Sequence, residues 1–305
     1  MLPKLNEMNN DRFVLKRKIT EKYEGILLRE YVLNELNVSN RLLKRLKIGG
    51  KLLINGDKQT VRYVLKTDDV LKIVFPPEEK SSVFPEKMGL EIVYEDEDLL
   101  VINKEAGIPT IPSKLHPTGT LANGIAYYYK EKNIPYTIHI VTRLDKDTSG
   151  LVLVAKHQYS HSLLSDLQRE NKIKRMYRAI IHGSLDKKKG TIDAPIGRNP
   201  DSIIERMVRD DGKRAVTHFE VIQQTGAYSE VKIDLETGRT HQIRIHFSYL
   251  SHPLVGDDLY GGKTEKINRQ ALHCAEITFI HPLSKEKIQI VSNLPADMQI
   301  IIPGE

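Results

Sequence analysis

Thr142-Arg-Leu-Asp-Lys-Asp-Thr-Ser-Gly150 runs directly into Leu151-Val-Leu-Val-Ala-Lys156. The second half is a short, unbroken apolar run, the pattern of a strand buried on both faces. The first half is charged and ends on Ser149-Gly150, a pair suited to a tight turn. An acidic loop is therefore pressed against the start of a buried strand. Asp145 sits before the turn, with Arg143 two residues earlier. A carboxylate held at a strand edge can be oriented and partly desolvated, which raises its chemical usefulness. The plain alternative is an Asx-type loop with a local Arg143–Asp145 pair.

Similar short β-type runs lie on both sides: Leu99–Asn103, Tyr177–Ile181, His218–Ile222, Ser229–Leu235 and Lys287–Val291. Helical patterns intervene at about 119–131, 157–170 and 240–250. Many strands with a few helices predict an α+β fold with a mixed, largely antiparallel sheet, over residues 90–305.

The chain before it reads differently. Residues 1–24 look like a charged, poorly patterned arm. Residues 25–77 form a small α/β unit. Leu28, Val32, Leu33 and Leu36 give one apolar helix face, and Ser39 is a good N-cap for a second helix through Leu42, Leu43 and Leu46. Gly49-Gly50 stops that helix. Strands follow at Lys51–Gly56 and Val70–Phe75. Residues 78–89, entered through Pro76-Pro77, read as a linker.

The composition bounds the possibilities. A chain of 305 residues suggests about two domains, and 40% hydrophobic with 28% charged residues suits a globular protein. A single cysteine, Cys274, excludes an internal disulfide and four-cysteine zinc sites, and fits a reducing, cytoplasmic setting. No run of 18 apolar residues is present, so no membrane partner is expected. The first residues are polar and do not form a signal peptide. A formal charge of +6 favours an anionic partner, nucleic acid first. Much of that charge is local: Arg41, Lys44, Arg45 and Lys47 lie beside the leucines of the second helix. Such a helix can set several cations against a phosphate backbone, or simply be a solvated basic face.

His241 and His246 are five apart, not the four of a zinc-binding helix. There is no His-x-Glu with Pro-Cys-x-x-Cys, which excludes a zinc deaminase. Neither a GxGxxG nor a Walker sequence is present. No metal and no cofactor are expected.

The Arg143-Leu-Asp-x-x-Thr-Ser-Gly150 run resembles the signature of the RluA-type RNA pseudouridine synthases. Three further segments resemble the same family, in order: Tyr94–Lys104, Lys174–Ala179, and Leu235–His246 with its sequel His252–Gly262. The resemblance spans nearly all of the chain from residue 90 on, and implies the pseudouridine synthase fold. It implies that Asp145 is the catalytic carboxylate and that Tyr177 packs on the target base and is a candidate relay for the proton at C5. It further implies that Arg244 is a buried cation paired with Asp145, and that Arg143 helps displace the uridine from its stack. Residues 25–77 resemble the S4 RNA-binding module, through LLREYVLNEL, SNRLLKRLKIGGKLLINGD and LKTDDVLKIVFP. That makes Arg41, Lys44, Arg45 and Lys47 candidates for RNA-backbone contact.

The roles make chemical sense. Splitting the C1′–N1 bond puts positive character on the sugar, which a nearby carboxylate stabilises or attacks. Arg244 is expected on a helix capped by Thr240, and its neighbours Ile243, Ile245 and Phe247 imply burial. Three departures from the family pattern bear on substrate contacts: Thr142 in place of histidine, Glu105 in place of proline, and the stretch IPTIPSKLHPTGT. The expected activity is isomerisation of uridines in structured RNA, ribosomal RNA first and transfer RNA second, by a monomer. The alternative is a catalytically inactive RNA-binding or ribosome-associated protein.

Overall fold

The computed structural model describes residues 6–8, 12–79, 81–202 and 204–302. Two sheets dominate. The larger has ten strands, and its middle is the quoted apolar run: Leu151, Val152, Leu153, Val154 and Ala155 have no exposed surface. Its main path is Lys189–Asp193, Val216–Gln224, Tyr228–Leu235, Lys174–His182, Leu272–Ile280, Ser149–Ala155, Leu99–Lys104 and Glu91–Glu95. Lys287–Val291 adds to Leu272–Ile280, and His139–Ile140 to Ser149–Ala155. Among the described strand pairs only Ser149–Ala155 with Leu272–Ile280 is parallel. The expected α+β class and largely antiparallel sheet are thus found.

Helices Leu121–Glu131 and Gln158–Arg169 start from side-chain caps, Thr120 and His157. The third, Gln242–Tyr249, is sunk into the body, with Gln242 through Phe247 all buried. Its start is not capped by Thr240. His241 takes the N-cap position in left-handed backbone (φ 56°) and makes no side-chain cap.

The smaller, antiparallel sheet runs Asn6–Met8, Phe13–Lys18, Val70–Val74, Lys51–Ile54 and Asp57–Lys58. The expected charged arm over residues 1–24 is therefore wrong for part of its length. Phe13, Val14 and Leu15 are buried, and residues 14–18 pair with Val70–Val74. The basic ends of that strand hide its apolar start from any periodicity test. Ser39 caps helix Asn40–Gly49 by accepting from Leu42 N–H, and Leu42, Leu43 and Leu46 are buried, as read. The preceding helix is shorter than expected. Leu28–Glu30 widens into a π turn over Tyr31–Glu35, which buries Tyr31 and leaves Leu33 at the edge.

The two sheets touch through specific contacts. Tyr159 and Leu163 of helix Gln158–Arg169 join the small unit's apolar core. Phe13 stacks on His157 with ring centroids 3.7 Å apart. Tyr159 Oη donates to Leu36 O at 2.6 Å. The stretch read as a linker is pinned. Glu78 accepts from Gln158 N–H and Thr137 N–H and lies 2.7 Å from His139 Nε2, while Glu86 accepts from Gly119 N–H.

Candidate active site

The acidic loop turns at Lys146–Asp147, closed by Thr148 N–H donating to Asp145 O at 3.2 Å. Ser149 and Gly150, expected to form the turn, belong to the strand instead. Gly150 has φ 112°, and a Cβ there would stand 2.3 Å from Cys274 O. The residue lies at the parallel junction, where the backbones approach too closely for any side chain.

Two side chains hold the loop from beneath. Thr110 Oγ1 donates to Leu144 O at 2.6 Å and accepts from Leu144 N–H at 3.2 Å. Lys104, 2% exposed, donates to Glu105 O and Ile108 O at 2.8 Å and to Lys146 O at 2.9 Å. Burial pulls the Lys104 ammonium down to about 7, against the opposing pull of Asp147 and Asp145.

Asp145 opens onto a cleft of about 1000 Å³ that is also lined by Arg143, Tyr177, His241 and Arg244. Three segments far apart in sequence are thus brought to one place, carrying Arg143 with Asp145, Tyr177, and Arg244. Asp145 is 32% exposed, so the carboxylate faces the cleft and not a sealed interior. Tyr177 is 5% exposed and lies on strand Lys174–His182 where the register against Leu272–Ile280 shifts. A bulge of this kind re-aims a side chain. Arg175 Nη1 donates to Tyr177 Oη at 3.3 Å. Burial holds the Tyr177 phenol far above its ordinary value, so its proton stays on at neutral pH. Arg143 is exposed at the cleft wall.

Arg244 is buried as its neighbours implied, but its pairing differs from the expectation. Its Nε and Nη2 donate to Asp257 Oδ2 and Oδ1, both at 2.7 Å, a bidentate pair. Only Nη1 turns toward Asp145, 3.8 Å from Oδ2. Burial works against the charge, and Asp257, with Asp145 and Tyr260, more than offsets it, so the guanidinium is held above its ordinary value. Its flat face lies over the Tyr260 ring, 4.9 Å from the centroid. Gln242 fixes the start of the helix: its Oε1 accepts from Thr237 Oγ1 and Arg239 N–H, and its Nε2 donates to Val216 O and Thr217 Oγ1.

Asp257, Tyr260, Lys104 and Thr110 carry the geometry yet had no role assigned from sequence. Asp257 and Tyr260 fall in the segment after the arginine run. Nothing in local spacing signals a pair that spans a helix end and two turns. Thr142 and Glu105, the two single-residue departures, do not line the cleft. Thr142 Oγ1 accepts from Leu153 N–H at 2.9 Å and serves the strand. Pro109, Thr110, Ile111 and Pro112 of the third departure do line it.

Of the four basic residues on helix Asn40–Gly49, Arg41, Lys44 and Lys47 are exposed. Arg45 turns inward: its guanidinium donates to Gln158 Oε1 and to Pro77 O. It joins the two units and is not free on the basic face.

Among the described residues one group could hold a metal by proximity: Asp96, Asp98 and His281. Asp96 accepts from Tyr94 Oη and from Asp98 and Leu99 N–H. His281 Nδ1 accepts from Leu283 and Ser284 N–H, which leaves the ring proton on Nε2 and no lone pair there for an ion. The group is a hydrogen-bonded junction.

Comparison with known proteins agrees with this architecture. Residues 98–249 match the family model described as RNA pseudouridylate synthase. The uncharacterized RNA pseudouridine synthase YjbO of Bacillus subtilis is 51% identical over 280 residues, 91% of this chain and 99% of that one. Ribosomal large subunit pseudouridine synthase D of Buchnera aphidicola is 38% identical over 304 residues, 95% of this chain and 92% of that one. Among solved structures, human RNA pseudouridylate synthase domain containing 1 superposes with a TM-score of 0.57 at 26% identity, covering 70% of this chain and 86% of that one.

Proposed function

The chain belongs to the RNA pseudouridine synthases of the RluA type, enzymes that isomerise uridine in RNA, and from that premise we propose that Asp145 acts at C1′ of a uridine flipped into the cleft of a structured ribosomal RNA. The observation that carries this reading is the convergence of Asp145, Tyr177 and Arg244 on one cleft.

A base extruded from its stack fills the cleft and displaces water, which strengthens every charge interaction inside. Asp145 then stabilises or attacks the sugar as the C1′–N1 bond breaks. Tyr177 packs against the base and keeps it bound while it turns to present C5. Its retained proton makes it a surface and a donor rather than a phenolate. Arg244, anchored by Asp257, places one N–H toward the carboxylate and orients it. Arg143, exposed at the rim, is placed to fill the gap that the uridine leaves in the RNA stack.

The small unit, residues 25–77 together with strand Phe13–Lys18, serves as the S4-like RNA-binding module, joined through residues 78–89 to the catalytic domain. Its exposed Arg41, Lys44 and Lys47 contact the phosphate backbone. Such contacts position the enzyme and carry little sequence information. Their distant binding energy offsets the roughly few kcal/mol needed to flip the base. The name of the Buchnera relative and the S4-like unit both favour ribosomal over transfer RNA. No helix among the described residues is long and apolar enough to cross a membrane, and the lone buried Cys274 suits a cytoplasmic setting.

Asp145→Asn tests the central role. We expect turnover lost, with the thermal transition and RNA affinity nearly unchanged. Release of tritium to water from RNA labelled at uridine C5 is the readout. Normal release by the variant excludes Asp145 as the catalytic group.

A further inference from the structure

Two N–H bearing groups approach the same oxygen of Asp145. Arg244 Nη1 lies 3.8 Å from Oδ2, and His241 Nε2 lies 4.0 Å from it. His241 is unusual in its backbone as well as its place. It is a non-glycine residue at φ 56°, a conformation that costs a side chain more than it costs glycine. It stands at the start of helix Gln242–Tyr249 yet gives that helix no cap. What the left-handed turn achieves is to aim the imidazole into the cleft.

The tautomer follows from its partners. Tyr260 Oη accepts from Arg206 N–H at 3.1 Å and lies 2.9 Å from His241 Nδ1. The tyrosine's own proton is free to fill this contact, which makes Nδ1 the acceptor and puts the hydrogen of the neutral ring on Nε2. Burial, with Arg244 and Arg206 nearby, holds the imidazole below its ordinary value against the pull of Asp145 and Asp257, so the neutral form is the one present at pH 7.

Resting on the assignment of Asp145, we propose that His241 is a positioning residue for the isomerisation: its Nε2–H and Arg244 Nη1 together fix Oδ2 of Asp145, and with it the orientation of the carboxylate toward the ribose. The distances are longer than hydrogen bonds in the free protein. Catalytic contacts of this type commonly tighten when substrate fills the site. Tyr260 then has two functions, as the platform under Arg244 and as the group that fixes the histidine tautomer.

The test uses the full chain and total RNA from cells lacking the protein, labelled at uridine C5 with tritium. His241→Ala is expected to lower kcat by about 10- to 100-fold with little change in KM, below the loss for a direct oxyanion donor. A glutamine amide nitrogen reaches the place of Nε2, whereas that of asparagine reaches only the place of Nδ1. His241→Gln should therefore recover most of the rate and His241→Asn should not, although asparagine suits the left-handed backbone better. Equal recovery by asparagine, or a loss confined to KM, overturns the proposal and makes His241 a backbone residue. Should His241→Ala fail to fold, the glutamine and asparagine pair still decides. Asp145→Asn is run beside them. If it is inactive while His241→Ala keeps the wild-type rate, only this inference falls; if Asp145→Asn is itself active, the assignment beneath it falls.

Discussion

Helix Asn40–Gly49 and the cleft both rely on cations, and they hold them in opposite ways. Arg41, Lys44 and Lys47 stand in solvent, and in the proposed function they meet phosphates at many places along an RNA. Arg244 is buried and clamped by both oxygens of Asp257, with one N–H left for Asp145. The first arrangement gives affinity that depends on salt and tolerates movement. The second gives an orientation that costs little reorganisation at the moment of reaction. Arg45 is the instructive intermediate. It sits in the basic helix by sequence, but belongs by contact to the junction with Gln158 and Pro77.

The comparison can be broken most severely at Asp257. Replacing it with alanine leaves Arg244 buried without its bidentate partner, and we expect a loss of about 3–5 kcal/mol in stability together with activity. Denaturant titration beside the tritium assay measures both, and a variant of wild-type stability would remove the clamp from the account. Lys104 comes next, as a buried cation that holds backbone rather than carboxylate. Its folded value of about 7 lies below the ordinary 10.5. Between those values the unfolded chain binds more protons there, so stability rises with pH across the window. Lys104→Met should flatten that slope and cost about 1–3 kcal/mol through unpaired carbonyls. The same slope in both proteins means that Lys104 stays charged throughout. The smallest effect sharpens the contrast within the helix. Changing Arg41, Lys44 and Lys47 together to alanine should reduce the slope of log affinity against log salt by about two to three. Arg45→Ala should leave that slope alone, and filter binding over a salt series separates the two cases.

How far the sequence discloses this molecule follows from the range of each interaction. The Leu151–Ala155 run announces a buried strand because the signal lies in five adjacent residues. Ser39 announces its helix because a cap acts three residues away. Phe13–Lys18 escapes notice because three apolar residues followed by Lys-Arg-Lys look like an arm until strand Val70–Val74 lies beside them. Asp145, Tyr177 and Arg244 stand out through resemblance, and their shared cleft agrees with it. The true partner of Arg244 does not stand out, since Asp257 reaches it only after the chain has passed through a helix end and two turns. Thr142 shows the reverse error: a residue next to the catalytic run looks relevant to substrate, yet its hydroxyl serves Leu153.

The strand Leu272–Ile280 lies in the middle of the large sheet but near the end of the chain. Its neighbours, Lys174–His182 and Ser149–Ala155, carry or follow groups that line the cleft, and both are hydrogen-bonded to this late strand, which lies between them. The sheet that carries the pocket is therefore complete only once the chain has been made through Ile280. Contacts so distant along the chain also slow folding. In the proposed function, the nascent protein gains the ability to hold RNA, through residues 13–77, before it gains the ability to alter it.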